Sequence, residues 1–155
     1  MLHKIILLTF FSMALAQTSL AQTRETWKKI ENLYFSFSIP KDFKKANMRG
    51  IDSFVEEYVT DGIDLSFDFG MYSNNFQGWS GDTKFENVKI DGKDGRIGTT
   101  TEQLPKGFRY SIQVYVKVNH FEALSMNAAC KSETEVAIVR KIFGTIVFKS
   151  ENSKP

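Results

Sequence analysis

The sequence predicts an α+β domain: a curved antiparallel sheet of about seven strands with one C-terminal helix packed on one face. Three observations carry this. Several runs alternate apolar and polar residues with the period of a half-buried strand. Gly-containing turn signals separate those runs. A single capping box near the C-terminal end introduces the one convincing helical stripe.

The chain opens on a targeting pattern. His3 and Lys4 are weakly basic, and residues 5–15 are apolar apart from Thr9 and Ser12. Ala14-Leu15-Ala16 and Ser19-Leu20-Ala21 are small-residue cleavage patterns. This predicts a secretory signal peptide over 1–21, removed after Ala21, because the apolar run is too short to span a bilayer. No Cys stands at the junction to carry a lipid. No later stretch is apolar enough for a membrane span. The expected product is a secreted or periplasmic protein with one globular domain over 22–150 and a disordered tail over 151–155.

The full chain carries a formal net charge of +2. That balance argues against nucleic acid, which rewards a dense basic face. Lys28/Lys29 and Lys44/Lys45 read as solvated pairs. Cys130 is the only cysteine, so no internal disulfide forms and the core must hold the fold. A buried inert thiol is the leading reading, ahead of an intermolecular disulfide or a reactive group.

Residues 24–32 read as one helical turn or a short first strand around Trp27 and Ile30. Residues 33–39 alternate Leu33, Phe35, Phe37 and Ile39 against Tyr34, Ser36 and Ser38, and Pro40 stops the strand. Residues 41–49 form a polar connection anchored by Phe43. The hairpin that follows has the clearest pattern in the chain. Ile63, Leu65, Phe67 and Phe69 alternate with Asp64, Ser66 and Asp68 beyond an Asp61-Gly62 turn. With a two-residue loop Glu56 faces Phe67; with a three-residue loop Glu57 faces Leu65. Either register sets one glutamate on the apolar face.

Residues 71–85, MYSNNFQGWSGDTKF, form a loop of Asn, Gly and aromatics without a regular period. Residues 88–90 make a short strand, 91–95 a turn, and 96–102 a Thr-rich strand. Residues 104–107 turn again. Residues 108–118 give the longest clean alternation, and Asn119-His120 is a tight turn that sets Val116 against Ala123 and Lys117 against Glu122. Ser132 and Glu135 form the capping box of a helix to about Phe143, with Gly144 as its C-terminal cap. Residues 145–148 are a last short strand.

The order of parts, with FSFSIPKDF at 35–43, KIDGKDGR at 89–96 and IFGTIVF at 142–148, resembles the PsbP-like α/β sandwich. Photosystem extrinsic subunits and the Ran-binding Mog proteins share that architecture. The resemblance implies a non-enzymatic binding or scaffold module. It assigns no functional residues to this chain.

The residues themselves offer little for catalysis. Gly78-Trp79-Ser80-Gly81 misses the nucleophile-elbow spacing. His120 is the one histidine after the signal segment, so neither a hydrolase triad nor a zinc site is expected. Asp64 and Asp68 on one strand face suggest calcium only weakly. No metal, cofactor or catalytic residue is therefore expected. Glu56 or Glu57, with Tyr58 and Arg109 nearby, is the candidate for a small-ligand site or weak hydrolase on the apolar sheet face, where burial raises a carboxyl pKa. The recognition candidates are Tyr72, Phe76 and Trp79, with Phe85 beside them. Such aromatics stack on sugars or anchor partners. The expected partner is a protein or a cell-envelope component.

Overall fold

A computed structural model describes residues 26–47 and 53–150. The expected signal peptide, its cleavage point after Ala21 and the tail 151–155 lie outside the described residues. The strands are β1 (Trp27–Glu31), β2 (Phe35–Pro40), β3 (Lys44–Ala46), β4 (Phe54–Val59), β5 (Ile63–Gly70), β6 (Lys84–Ile90), β7 (Lys93–Thr101), β8 (Tyr110–Lys117), β9 (Ala123–Cys130) and β10 (Val147–Phe148). The helix α1 (Glu133–Gly144) precedes the last strand.

Seven strands form an antiparallel sheet in the order β3-β4-β5-β9-β8-β7-β6. This is the α+β architecture expected. A second sheet, β1-β2-β10, was not. It forms because β2 is apolar enough to serve as the centre of its own sheet, and both β1 and β10 pair with it antiparallel.

The inner face of the large sheet carries Leu65 and Phe67 of β5, Leu124 and Met126 of β9, and Ile112 and Val114 of β8, all buried. Onto it pack β2 and α1. Phe35 lies 5.0 Å from Phe67, edge to face, and Phe37 meets both Phe67 and Tyr58. The helix contributes Val136, Val139, Ile142 and Phe143. Each such side chain stabilises the fold by about 1.5–3 kcal/mol through burial.

The helix starts as its capping box requires. Ser132 Oγ accepts from Glu135 N and donates to Glu135 Oε2 at 2.9 Å. Its end differs from expectation. Gly144 lies inside the helix, and the cap is Thr145 in right-handed geometry. Thr145 Oγ1 donates to Ile142 O at 2.7 Å and accepts from Ser38 N at 2.8 Å. One hydroxyl thus closes the helix and ties it to β2, so no left-handed glycine is needed.

Several boundaries move. Leu33 is exposed, because Asn32 Oδ1 accepts from Tyr34 N and Phe35 N and delays the strand to Phe35. Lys44–Ala46 forms an edge strand where a connection was expected. The turn at 91–95 contracts to Asp91-Gly92, both with positive φ, so β6 and β7 pair from Ile90↔Lys93 onward.

The β8–β9 register is the largest correction. Val116 faces Leu124 and Lys117 faces Ala123, one residue away from the expected pairing. The loop is Asn119-His120-Phe121, because Asn119 Oδ1 accepts from both Phe121 N and Glu122 N at 2.8 Å. The shift turns Leu124, Met126, Ala128 and Cys130 to the core in place of Ala123, Ser125 and Asn127. Cys130 is fully buried, and burial, with a smaller push from Glu135, takes its thiol up to about 12.

Candidate functional site

The Asp61-Gly62 hairpin adopts the two-residue register. Thr60 N donates to Ile63 O at 2.8 Å, and Glu56 stands opposite Phe67. Glu56 therefore lies on the inner side, at the sheet edge. Its carboxylate pairs with Lys45 of β3 and accepts from Tyr58 Oη at 2.7 Å. The added edge strand supplies the counter-charge that the sequence pattern did not reveal. Burial, with the Glu56 carboxylate second, pushes the Tyr58 phenol well above its usual range.

Glu57 points to the opposite, outer face, so the two glutamates do not come together. Arg109 is exposed just before β8. The apolar face meant to hold a ligand beside Glu56 or Glu57 is filled by the rings of Phe35, Phe37 and Phe67. Glu57 instead meets Asp64. A hydrogen bond between the two carboxyls, with burial and their repulsion adding to it, holds Glu57 above the usual carboxyl range. A raised carboxyl pKa favours the folded state only while Glu57 is protonated. That stability is lost as pH rises from its ordinary value of 4.5 through the raised one. Glu57→Gln is expected to raise the melting temperature at pH 7 by about 1–3 °C, and to bring no gain once the pH falls below Glu57's ordinary value. Thermal melts of both proteins across pH 3.5–7.5 (approximately) check this.

The outer face carries the better site. Residues 71–83 fold over it as a lid. Asn74 Oδ1 accepts from Gln77 N at 2.7 Å, and Ser73 Oγ donates to Ala123 O at 2.8 Å. Trp79 N donates to Phe76 O at 3.2 Å, which closes a turn through Phe76 and Gly78, both with positive φ. Phe76 sits edge-on to Trp79 at 5.4 Å and to Phe85 at 5.0 Å. Arg96 lies over the Phe85 ring at 3.7 Å. All of this rests on Gly98, whose missing side chain makes room for Phe76 and Phe85.

The lid buries polar side chains that the strand pattern turned outward. Gln113 is 2% exposed, and its Nε2 donates to Asn74 O at 2.7 Å. Ser80 and Thr100 share a hydrogen bond of 3.2 Å. Between the lid and the 3-10 turn at Pro105–Gly107 lies a groove of about 390 Å³. Trp79, Gln77 and Ser80 line it from the lid. Ser111, Gln113, Asn127 and the small Ala129 line it from the sheet. Glu102 and Leu104 line its far side. Its volume falls within the range of roughly 300–1,000 Å³ usual for small-molecule sites.

Of the recognition residues expected from sequence, Trp79 lines this groove, Phe76 is the buttress behind it, and Tyr72 stands apart, 79% exposed. Phe85 belongs to β6, where it helps hold Phe76. Sequence reasoning missed Gln113, Asn127, Ser111 and Glu102. The available signal was a run of uncharged polar residues at the outward positions of the strands at 110–117 and 123–130, where a solvated face usually carries charge.

No family model matches the chain, and no curated protein matches it. Among solved structures, it is similar to a crystal structure from Bacteroides thetaiotaomicron VPI-5482 at 1.50 Å resolution, with a TM-score of 0.54 and 16% identity. The match covers 81% of this chain and 49% of that one, so the chain spans about half its length. At that identity the likeness shows the fold alone.

Proposed function

We propose that the protein is a secreted or periplasmic, non-enzymatic binding module that holds an envelope component in the groove beside Trp79. The observation that carries this is the groove itself: an aromatic wall facing a floor of amides and hydroxyls, beneath a hydrogen-bonded lid. The element order that resembles the PsbP-like group, and the signal-like segment over 1–21, support the same reading. Among the described residues Glu102 is the only titratable side chain in the groove lining, and its Oε1 accepts from Ser111 Oγ at 2.6 Å. Acid–base chemistry asks for a group poised near the working pH, with a partner to shuttle against. Cys130 is shut in the core, and His120 sits on the exposed Asn119–Phe121 turn.

Trp79→Ala is expected to abolish capture of the partner from the envelope fraction while lowering the melting temperature by about 2–4 °C. Trp79 is half-buried and its one ring contact on the lid is Phe76, so the fold should lose little. Affinity capture followed by mass spectrometry, run beside a thermal melt, checks both. Capture that survives the substitution would move the site elsewhere; a collapse in melting temperature would make Trp79 a structural residue.

A further inference from the structure

We propose that the groove takes a neutral, polyhydroxylated ligand, namely a saccharide unit seated against Trp79. This rests on the groove being the capture site and goes on to name what it captures.

The lining excludes other ligand classes by its chemistry. Among the described residues it holds no lysine or arginine, and its single charge is the carboxylate of Glu102. A phosphate, sulfate or carboxylate ligand would find no counter-charge there and would face a like charge. A purely apolar ligand would strip water from amides and hydroxyls and return no hydrogen bonds, which costs about 1–3 kcal/mol for each group left unpaired. A sugar ring fits both sides of the groove. Its hydroxyls donate and accept, as do the Asn, Gln and Ser side chains of the floor, and its C–H face suits an indole.

The polar groups are also pre-set. Gln113 gives its Nε2 to Asn74 O, which leaves its carbonyl oxygen as the acceptor for a ligand hydroxyl. Asn127 Oδ1 accepts from Ser66 Oγ at 3.1 Å, which leaves the amide nitrogen of Asn127 as the donor. Glu102 has one oxygen engaged by Ser111. The second oxygen is a strong acceptor for a hydroxyl. Gln113 and Asn127 face each other across β8 and β9, so the acceptor and donor stand side by side. Ala129 opposite Ser111 keeps the floor low beside them. The Trp79 ring is oriented by Phe76 behind it, so little ordering entropy remains to be lost on binding.

The test is a glycan array carrying neutral and acidic oligosaccharides, probed with the purified protein, with calorimetry on each hit. Saturable binding of neutral saccharides is expected, with a change in tryptophan emission that Trp79→Ala removes. Asn127→Ala should weaken binding about tenfold or more. Its circular dichroism should remain that of the parent and its melting temperature should fall by only about 2–6 °C for the lost Ser66 bond, which separates lost contact from lost fold. Preference for acidic glycans, or no saccharide binding at all, would overturn the ligand class. If that happens while Trp79→Ala still abolishes envelope capture, the site stands and only its ligand was misread. If capture survives Trp79→Ala, the site itself is wrong, whatever the array shows.

Discussion

Phe67→Ala is expected to destabilise the protein by about 3–5 kcal/mol, the cost of losing a large ring from a core that cannot close over the gap. Phe67 is 1% exposed and sits where the layers meet. Its ring lies 5.0 Å from Phe35, and 5.7 Å from both Phe37 and Phe54. It faces Met126 on one side and Glu56 on the other. Removing it strips β2 of the ring that both Phe35 and Phe37 meet and leaves Glu56 beside a void. Domains of this kind are stable by only about 5–15 kcal/mol, so the loss is a large share of the whole. Urea denaturation should show a lower midpoint with a similar slope. A loss below about 1 kcal/mol would mean that the second sheet does not depend on this contact.

Gly98→Val is expected to cost less in stability and nearly everything in binding. A Cβ at Gly98 would come within 2.7 Å of Phe76 Cε1 and 3.0 Å of Phe85 Cε1. Phe76 is held between Phe85 and Trp79, and Arg96 caps Phe85. Phe85 is exposed and Phe76 half-buried, so the rings give way by swinging off their seat on β7. Overpacking of this kind costs about 1–3 kcal/mol. The lid over 71–83 should lift, and with it the wall of the groove. The expected result is red-shifted tryptophan emission, faster proteolysis within 71–83 and loss of partner capture, with the far-ultraviolet spectrum of the sheet unchanged. Gly98→Ala should fall between the two. Unchanged emission and capture in the valine variant would show that the lid is not held by this seat.

The two substitutions separate the inner and outer faces of one sheet. The inner face holds the protein together and offers no room for a ligand beside Glu56. The outer face is spare to the fold, and its Gln113 and Thr100 are buried beneath a loop. Polar side chains buried by a loop at the expense of hydration mark a surface shaped for something other than solvent.

Much of this was legible in the residues. Period-two alternation settled which face of the strand at 63–70 is buried, since a strand has only two faces and one of them is apolar. The Asp61-Gly62 pair narrowed the hairpin to two registers and led to Glu56 or Glu57. Ser132 and Glu135 set the start of the helix, because capping is satisfied within four residues. Trp79 was marked by its loop. What remained depended on groups distant in the chain. Asn119 moved a turn by one residue and with it the inward face of β9. Lys45 came to Glu56 through an edge strand with no pattern of its own. Gly98 became the seat of the lid only because β7 carries it beneath Phe76. Local periodicity sets which side chains share a face; which faces meet, and what a loop then covers, is decided by burial summed over the whole chain. The groove beside Trp79 is a product of that second decision.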